Sequence, residues 1–200
     1  MKFFYCLIFL LIIHPFYSTA QKIAYEKVSK KYSPFLIGSV QKGKSIKVDD
    51  GDTFVFLSKS NRKFAIRIDG IDAPEKGMSY ARRSKQYLAE LLKDKEISVR
   101  ILDIDQYGRY VGRIIVERHD VSELMIASGY AWQYRKYNKD SILRNLETKA
   151  RNQKSGLWKE ANPLAPWVVR AYRRAGYSDK EFRRLREANS PLIKKFLEKQ

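Results

Sequence analysis

An α+β fold, mainly β, in which a small five-stranded barrel carries three packed helices and a basic helical tail, is what this sequence predicts. Three observations lead there. Between Val40 and Val116 short alternating apolar stretches recur, separated by Gly and Asp turns. One amphipathic helix interrupts them and further helical segments follow. A chain of 200 residues also holds one well-cored domain with extensions, not two full-sized ones. Together these point to a closed or nearly closed barrel of the OB type, whose strand-end loops converge on a groove.

The strand candidates are Ser45–Val48, Thr53–Leu57, Lys63–Ile68, Ile97–Leu102 and Tyr110–Val116. Between the third and fourth, Tyr80, Ser84, Tyr87, Leu88, Leu91 and Leu92 recur at helical spacing and predict a helix over Ser79–Lys93. Val121–Ser128 reads as a shorter helix that Gly129 stops in a left-handed conformation. Ile142, Leu143, Leu146 and Ala150 share one face of a third, Ser141–Ser155, with Gly156 as its stop.

At the start, Lys2, the apolar run Phe3–Ile13 and the small residues Ser18-Thr19-Ala20 have the three parts of a secretory leader. Residues 1–20 are therefore expected to be cleaved after Ala20 and the protein secreted or periplasmic; an uncleaved membrane anchor is the alternative. The apolar run is shorter than the roughly 20 residues a spanning helix needs. Cys6, the only cysteine, lies in this leader, so the mature chain has no disulfide. Residues 21–36 show no period and read as a linker, 37–170 as the domain, and 171–200 as a basic extension. From Arg170 to Gln200 there are ten Lys or Arg against four Asp or Glu. Ser178 with Glu181 has capping-box spacing, Ser190-Pro191 can open another helix, and Phe182, Leu185, Ile193, Phe196 and Leu197 can pack the pair.

With 44% hydrophobic and 13% aromatic residues the chain can form a core, so its 31% charged content does not signal disorder. A net charge of +18 attracts polyanions, and nucleic acid is the leading partner because phosphate contacts release counterions. Charge alone equally fits plain solubility or adhesion to an anionic surface. The acids kept among so many cations are therefore the informative residues.

Asp50-Gly51-Asp52-Thr53 joins two strand candidates, and Asp-Gly by itself is an ordinary hairpin turn. Asp52, however, stands where the chain re-enters a strand, which fixes its carboxylate. Asp72-Ala73-Pro74-Glu75 follows a strand directly, and Pro74 holds Ala73 extended and stiffens the loop. Carboxylates, a backbone carbonyl and water suit Ca2+, while Mg2+ or Mn2+ fit similar oxygen sites. Zinc does not fit, because the mature chain has one histidine, His119, read as a turn residue, and no cysteine. Arg67 in an apolar strand and Arg109 after Tyr107-Gly108 could each be an ordinary ion-pair partner. Planar guanidinium groups also bind phosphate oxygens bidentately, so two of them beside acids suggest phosphoryl chemistry. Tyr130, Trp132, Tyr134 and Tyr137 interleave with Arg135 and Lys136, a composition on which bases can stack, although Trp132 also fits a barrel cap. Gly156-Leu157-Trp158 reads as scaffold.

Asp50-Gly51-Asp52-Thr53, Arg67 through Glu75, Asp105-Gln106-Tyr107-Gly108-Arg109, Gly129-Tyr130-Ala131-Trp132, Ala150-Arg151 and Gly156-Leu157-Trp158 occur in order and spacing that resemble the thermonuclease family, from about Ile37 to Arg170. No single motif is specific; the ordered set is. The resemblance implies an OB barrel with three helices and a secreted enzyme that needs one Ca2+, cuts DNA and RNA and leaves 3′-phosphate ends; nothing in the sequence demands more than a monomer or requires a protein partner. The resemblance also implies Asp52, Asp72 and the Ala73 carbonyl as metal ligands. Glu75 would be the general base or the group orienting the attacking water, and Arg67 and Arg109 the phosphate clamp. Tyr107, Tyr134 and Tyr137 would contact substrate, with either Tyr134 or Tyr137 packing on the nucleotide. Two departures stand out: Gln106 replaces the family's lysine before Tyr-Gly-Arg, and the loop after Glu75 is short. The alternative to the enzyme is a non-catalytic nucleic-acid-binding OB module.

Overall fold

Alternating burial along five strands closes a barrel in the computed structural model, which describes residues 35–178 and 180–181. The strands are β1 (Val40–Val48), β2 (Thr53–Ser58), β3 (Lys63–Ile68), β5 (Ile97–Ile104) and β6 (Tyr110–Val116), in the order β3-β2-β1-β5-β6, with a parallel β3–β6 pairing that completes the circle. Phe54 and Phe56 of β2, Ile66 and Ile68 of β3, Ile97, Val99 and Ile101 of β5, and Ile114 and Val116 of β6 fill the interior. Closure leaves no long unpaired edge, which is how small antiparallel sheets avoid edge-to-edge association. β5 is interrupted between Ile101 and Asp103 by a register shift, and β1 by another between Ser45 and Lys47. Such bulges let short strands curve.

The expected β3 and β6 have their predicted bounds. β1 begins five residues earlier than its pattern suggested, because Val40–Gly43 pairs with β5 while Gly43–Val48 pairs with β2. Three two-residue strands were not legible: β4 (Ile71–Asp72), which pairs with β8 (Trp132–Gln133), and β7 (His119–Asp120), which pairs with β6. His119 thus sits on a bridge just past the turn formed by Glu117 and Arg118.

Four α-helices lie wholly within the described residues beside the barrel. α1 (Ala81–Leu92) buries Ser84, Leu88 and Leu92; α2 (Val121–Ala127) buries Val121, Met125 and Ile126. Asp120 caps α2 by accepting from the Ser122 amide at 2.8 Å, and Asp140 caps α3 (Ser141–Asn152) from Ile142 at 2.7 Å. α3 ends three residues before its predicted limit, so Gly156 is not its stop. Gly156 instead packs against Gly129, where Leu157 N donates to the Gly129 carbonyl at 2.8 Å.

α4 (Pro166–Arg174) corrects the expected boundary at residue 170, which falls inside this helix. Pro166 starts it, as proline does at a first helical position. Val168, Val169 and Tyr172 bury one face against Trp132, Ala150, Leu157 and Trp158, a second core that fixes α4 to the body. Trp132 belongs to this cluster, with its ring 5.2 Å from Trp158, and Gly156-Leu157-Trp158 is scaffold. At the other end Phe35 is buried 4.3 Å from the Phe64 ring, so the folded unit starts within the expected linker. Ser178 and Glu181 make reciprocal capping-box hydrogen bonds. The leader, most of the linker and the helix pair from Phe182 to Leu197 lie outside the described residues.

Gly129 has φ +70°, and a Cβ there would stand 2.2 Å from the Ser155 carbonyl oxygen; Gly176 has φ +87° with open space around it. Gly129→Ala should therefore cost at least about 3 kcal/mol by urea unfolding, and Gly176→Ala only about 1 kcal/mol, the backbone part alone.

Candidate active site

Strand register gathers the site at one barrel end. Thr53 at the head of β2 lies opposite Arg67 on β3, and Arg67 lies beside Val111 on β6, two residues after Arg109. The turn before β2 is pulled tight: Asp52 N donates to Asp50 Oδ1 at 3.0 Å, and Asp49 N donates to Thr53 O at 2.9 Å. Gly51 lets this turn press on its neighbours, since a Cβ would lie 1.8 Å from Ser84 Oγ on α1 and 2.7 Å from Ala73 Cβ. Asp72 is held by the β4–β8 pairing and is fully buried, and Asp52 is buried as well.

Arg67 joins these acids. Its Nη1 lies 3.3 Å from Asp52 Oδ2 and donates to Ile71 O at 2.9 Å, while Nη2 donates to Asp72 Oδ1 at 3.2 Å. Ala73 N donates to Asp52 Oδ2 at 2.8 Å, which brings the third expected ligand residue against the first. Arg109 reaches the same group indirectly. Its Nη1 donates to Thr53 Oγ1 at 3.1 Å, and Thr53 Oγ1 donates to Asp52 Oδ1 at 2.9 Å. Asp105 shapes the Arg109 turn, accepting from the amides of Tyr107 and Arg109 with one oxygen and from Arg109 Nε at 2.7 Å with the other.

Glu75 is drawn in by a residue, at the last position of the expected domain, to which the sequence assigned no role. Arg170 of α4 donates from Nη2 to Asp72 Oδ2 at 2.6 Å and from Nη1 to Asp72 Oδ1 at 3.0 Å and Glu75 Oε1 at 2.6 Å. The guanidinium lies 5.7 Å from the Tyr134 ring, which stacks at 6° on Trp167 of the same helix. Tyr137 meets Tyr134 edge-on but is 69% exposed, and Tyr107 is 70% exposed with Arg109 5.5 Å from its ring. Two of the three expected substrate aromatics are therefore open to solvent, and Tyr134 is partly covered. Asp50, Thr53, Asp105 and Arg170 were not assigned roles from sequence. The proline opening α4, with Val168, Val169 and Tyr172 on one face, was the available signal for the last.

Burial sets the electrostatics. It pushes Asp50 up to about 7, with the Asp52 charge adding to the rise. Burial also pushes Asp72 up to about 6; the Arg170 hydrogen bond works against this, and the Asp52 charge with it. For Arg67 and Arg170 burial opposes the charge, but the neighbouring carboxylates outweigh it and hold both above the usual arginine value. No group of three or more His, Cys, Asp or Glu is arranged as a metal cluster among the described residues. The donor chemistry nevertheless fits a hard dication. The linked network contains five acids (Asp50, Asp52, Asp72, Glu75, Asp105) and three arginines (Arg67, Arg109, Arg170), an excess of two negative charges when all are ionised.

A carboxyl whose folded pKa lies above its unfolded value costs nothing at low pH and destabilises increasingly as pH rises from about 4 toward 7. Asp50→Asn should thus raise the melting temperature of the chelator-treated protein more at pH 8 than at pH 4; equal shifts at both would contradict the burial of a charge there.

Comparison with known proteins places this chain in a family. Residues 65–160, which include Arg67, Asp72, Glu75 and Arg109, match the family model described as staphylococcal nuclease homologue; Asp52 and Arg170 lie outside the match. An uncharacterized endonuclease of Escherichia coli is 38% identical over 129 residues, covering 64% of this chain and 84% of its own length. The probable staphylococcal-like nuclease CAN3 of Oryza sativa subsp. japonica is 38% identical over 118 residues, covering 59% of this chain and 31% of the rice protein. The staphylococcal-like nuclease CAN1 of Arabidopsis thaliana is 38% identical over 115 residues, 58% of this chain and 36% of that protein. The plant proteins are thus much longer than the shared region, whereas the bacterial relative is matched over most of its length. The chain belongs to the family of staphylococcal nuclease homologues.

Proposed function

We propose that this protein is a secreted, Ca2+-dependent endonuclease that hydrolyses phosphodiester bonds of DNA and RNA and leaves 3′-phosphate ends. The observation that supports it is the convergence of Asp52, Asp72, Arg67 and Arg109 at one barrel end of a chain with net charge +18. Nuclease names among the relatives point the same way.

Binding begins with the charge of the whole chain, which draws in a polyanion. Tyr107 and Tyr137 present exposed rings on which bases can stack, and Arg109 beside Tyr107 can hold the adjoining phosphate. Arg67 and Arg109 are oriented by Ile71 O, Asp72 and Asp105, so their planes are set before substrate arrives. Guanidinium groups fixed in this way offset the charge that grows on phosphate oxygens during displacement. Glu75, partly exposed at the edge of the site, accepts the proton of the attacking water or orients it. The water oxygen bonds to phosphorus as the bond to the 5′-oxygen breaks, and that oxygen takes a proton from solvent and leaves as a 5′-hydroxyl, so the phosphate stays on the 3′ side. Ca2+ bound by Asp52, Asp72 and the Ala73 carbonyl would supply Lewis-acid stabilisation of the phosphate charge.

Export is assigned to residues 1–20, and no helix of the described residues is long and apolar enough to cross a membrane. N-terminal sequencing of the exported protein should begin at Gln21.

Supercoiled plasmid and single-stranded RNA should both be cut in Ca2+ and spared when a chelator is added. The DNA ends should resist extension by a polymerase until a phosphatase removes the 3′-phosphate. Arg67→Ala and Asp52→Ala should each lower kcat by about 10²–10³-fold. Retention of plasmid without chelator-sensitive cutting would return the chain to the class of non-catalytic binding modules.

A further inference from the structure

We infer that Arg170 on α4 is a positioning residue of the active site, a clamp that sets Asp72 and Glu75 relative to each other. It rests on the nuclease reading above and adds to it a residue from beyond the region matched to the family.

Asp72, the last residue of β4, and Glu75, in the loop that follows, are like-charged and only three positions apart, and Pro74 stiffens the backbone between them without fixing the Glu75 side chain. A single guanidinium spans both: its fork takes the two oxygens of Asp72, and Nη1 also reaches Glu75 Oε1 at 2.6 Å. Arginine suits this task because its donors are planar and rigidly spaced; a lysine ammonium is a point charge on a flexible stem. The clamp is itself well supported. Arg170 is only 29% exposed, Tyr134 stacks on Trp167 beside it, and Val168, Val169 and Tyr172 anchor the helix in the second core. One turn further on, Arg173 Nη2 donates to Lys76 O at 2.9 Å, so α4 holds the loop again just past Glu75.

Lone-pair accounting separates a clamp from a plug. A carboxylate offers about four acceptor positions. Arg67 and Arg170 take two on Asp72 Oδ1 and one on Oδ2, which leaves one on Oδ2. Asp52 gives Oδ1 to Thr53 and Oδ2 to Ala73 N and Arg67, which leaves one on Oδ1. Glu75 Oε2 accepts no hydrogen bond from the described residues. Each acid therefore keeps an acceptor for a cation or a water while its orientation is set by its other contacts. The two excess negative charges of the network also remain with Arg170 in place.

The test compares wild type, Arg170→Ala and Arg170→Lys by calorimetric titration with Ca2+ alone and by steady-state plasmid cleavage at saturating Ca2+. Arg170→Ala should weaken Ca2+ binding about tenfold and lower kcat about 10–100-fold, with KM for DNA changed less than about threefold. Arg170→Lys, which keeps the charge without the fork, should fall between the two. If Arg170→Ala does not fold, the lysine variant decides, with reduced kcat at wild-type KM expected. Tighter Ca2+ binding in Arg170→Ala would make Arg170 a competitor of the metal and overturn the inference. Wild-type kcat in both variants, or a loss confined to KM, would overturn it too. A wild-type chain that cuts nothing in Ca2+ defeats the nuclease reading itself, before any variant is compared.

Discussion

Holding two buried aspartates, Asp52 and Asp72, side by side is the constraint on which the rest of this structure depends. An unpaired buried carboxylate is expensive enough that it would bind a proton instead, and the rise of Asp50 and Asp72 shows how close this network comes to doing so. Arg67 answers the problem directly by bridging both aspartates, and its own charge is secured by them. Breaking such a pair from one side leaves the other charge stranded, which is why a substitution here would affect folding as well as chemistry.

The barrel is the device that brings the partners together. Pairing Thr53 with Arg67 and Arg67 with Val111 puts three strand ends in register, and the β4–β8 pair carries Asp72 to the same place. A one-residue slip in either pairing would turn Arg67 to the opposite face and separate the acids from their cation. The buried Phe54, Phe56, Ile66 and Ile68 resist that slip, because it would expose them. Core packing and site geometry are thus specified by the same alternation.

That alternation is also what made much of the fold legible in the sequence. Lys63–Ile68 and Tyr110–Val116 are apolar-rich stretches between defined turns, and their bounds follow from pattern alone. The first half of β1 has mostly polar residues and a glycine; it becomes a strand because β2 and β5 flank it. Two-residue bridges such as Ile71–Asp72 contain no period to read. Asp52, Asp72, Glu75 and Arg109 were legible because they stand beside turn residues in an ordered set, and Arg67 because it is a charge within an apolar strand. Arg170 was not, because it contacts Asp72 across 98 residues and follows two prolines that look like breaks. Pro166 in fact opens a helix, and only the buried Val168, Val169 and Tyr172 show that this helix belongs to the domain.

The sign of the charge differs between the chain and its site, and the difference has a physical consequence. A chain of net +18 favours any polyanion, yet the acid-rich network carries two excess negative charges when all its groups are ionised. Adding more arginine would balance them but would also fill the acceptor positions that Asp52 and Asp72 still hold open. A dication held by the proposed ligands Asp52, Asp72 and the Ala73 carbonyl would balance that excess while using those positions, and would leave Arg67 and Arg109 for the phosphate. The long-range field and the local deficit therefore perform separate tasks. The first governs encounter and weakens with salt, whereas the second is short-ranged, shielded by burial and set by the identity of the cation.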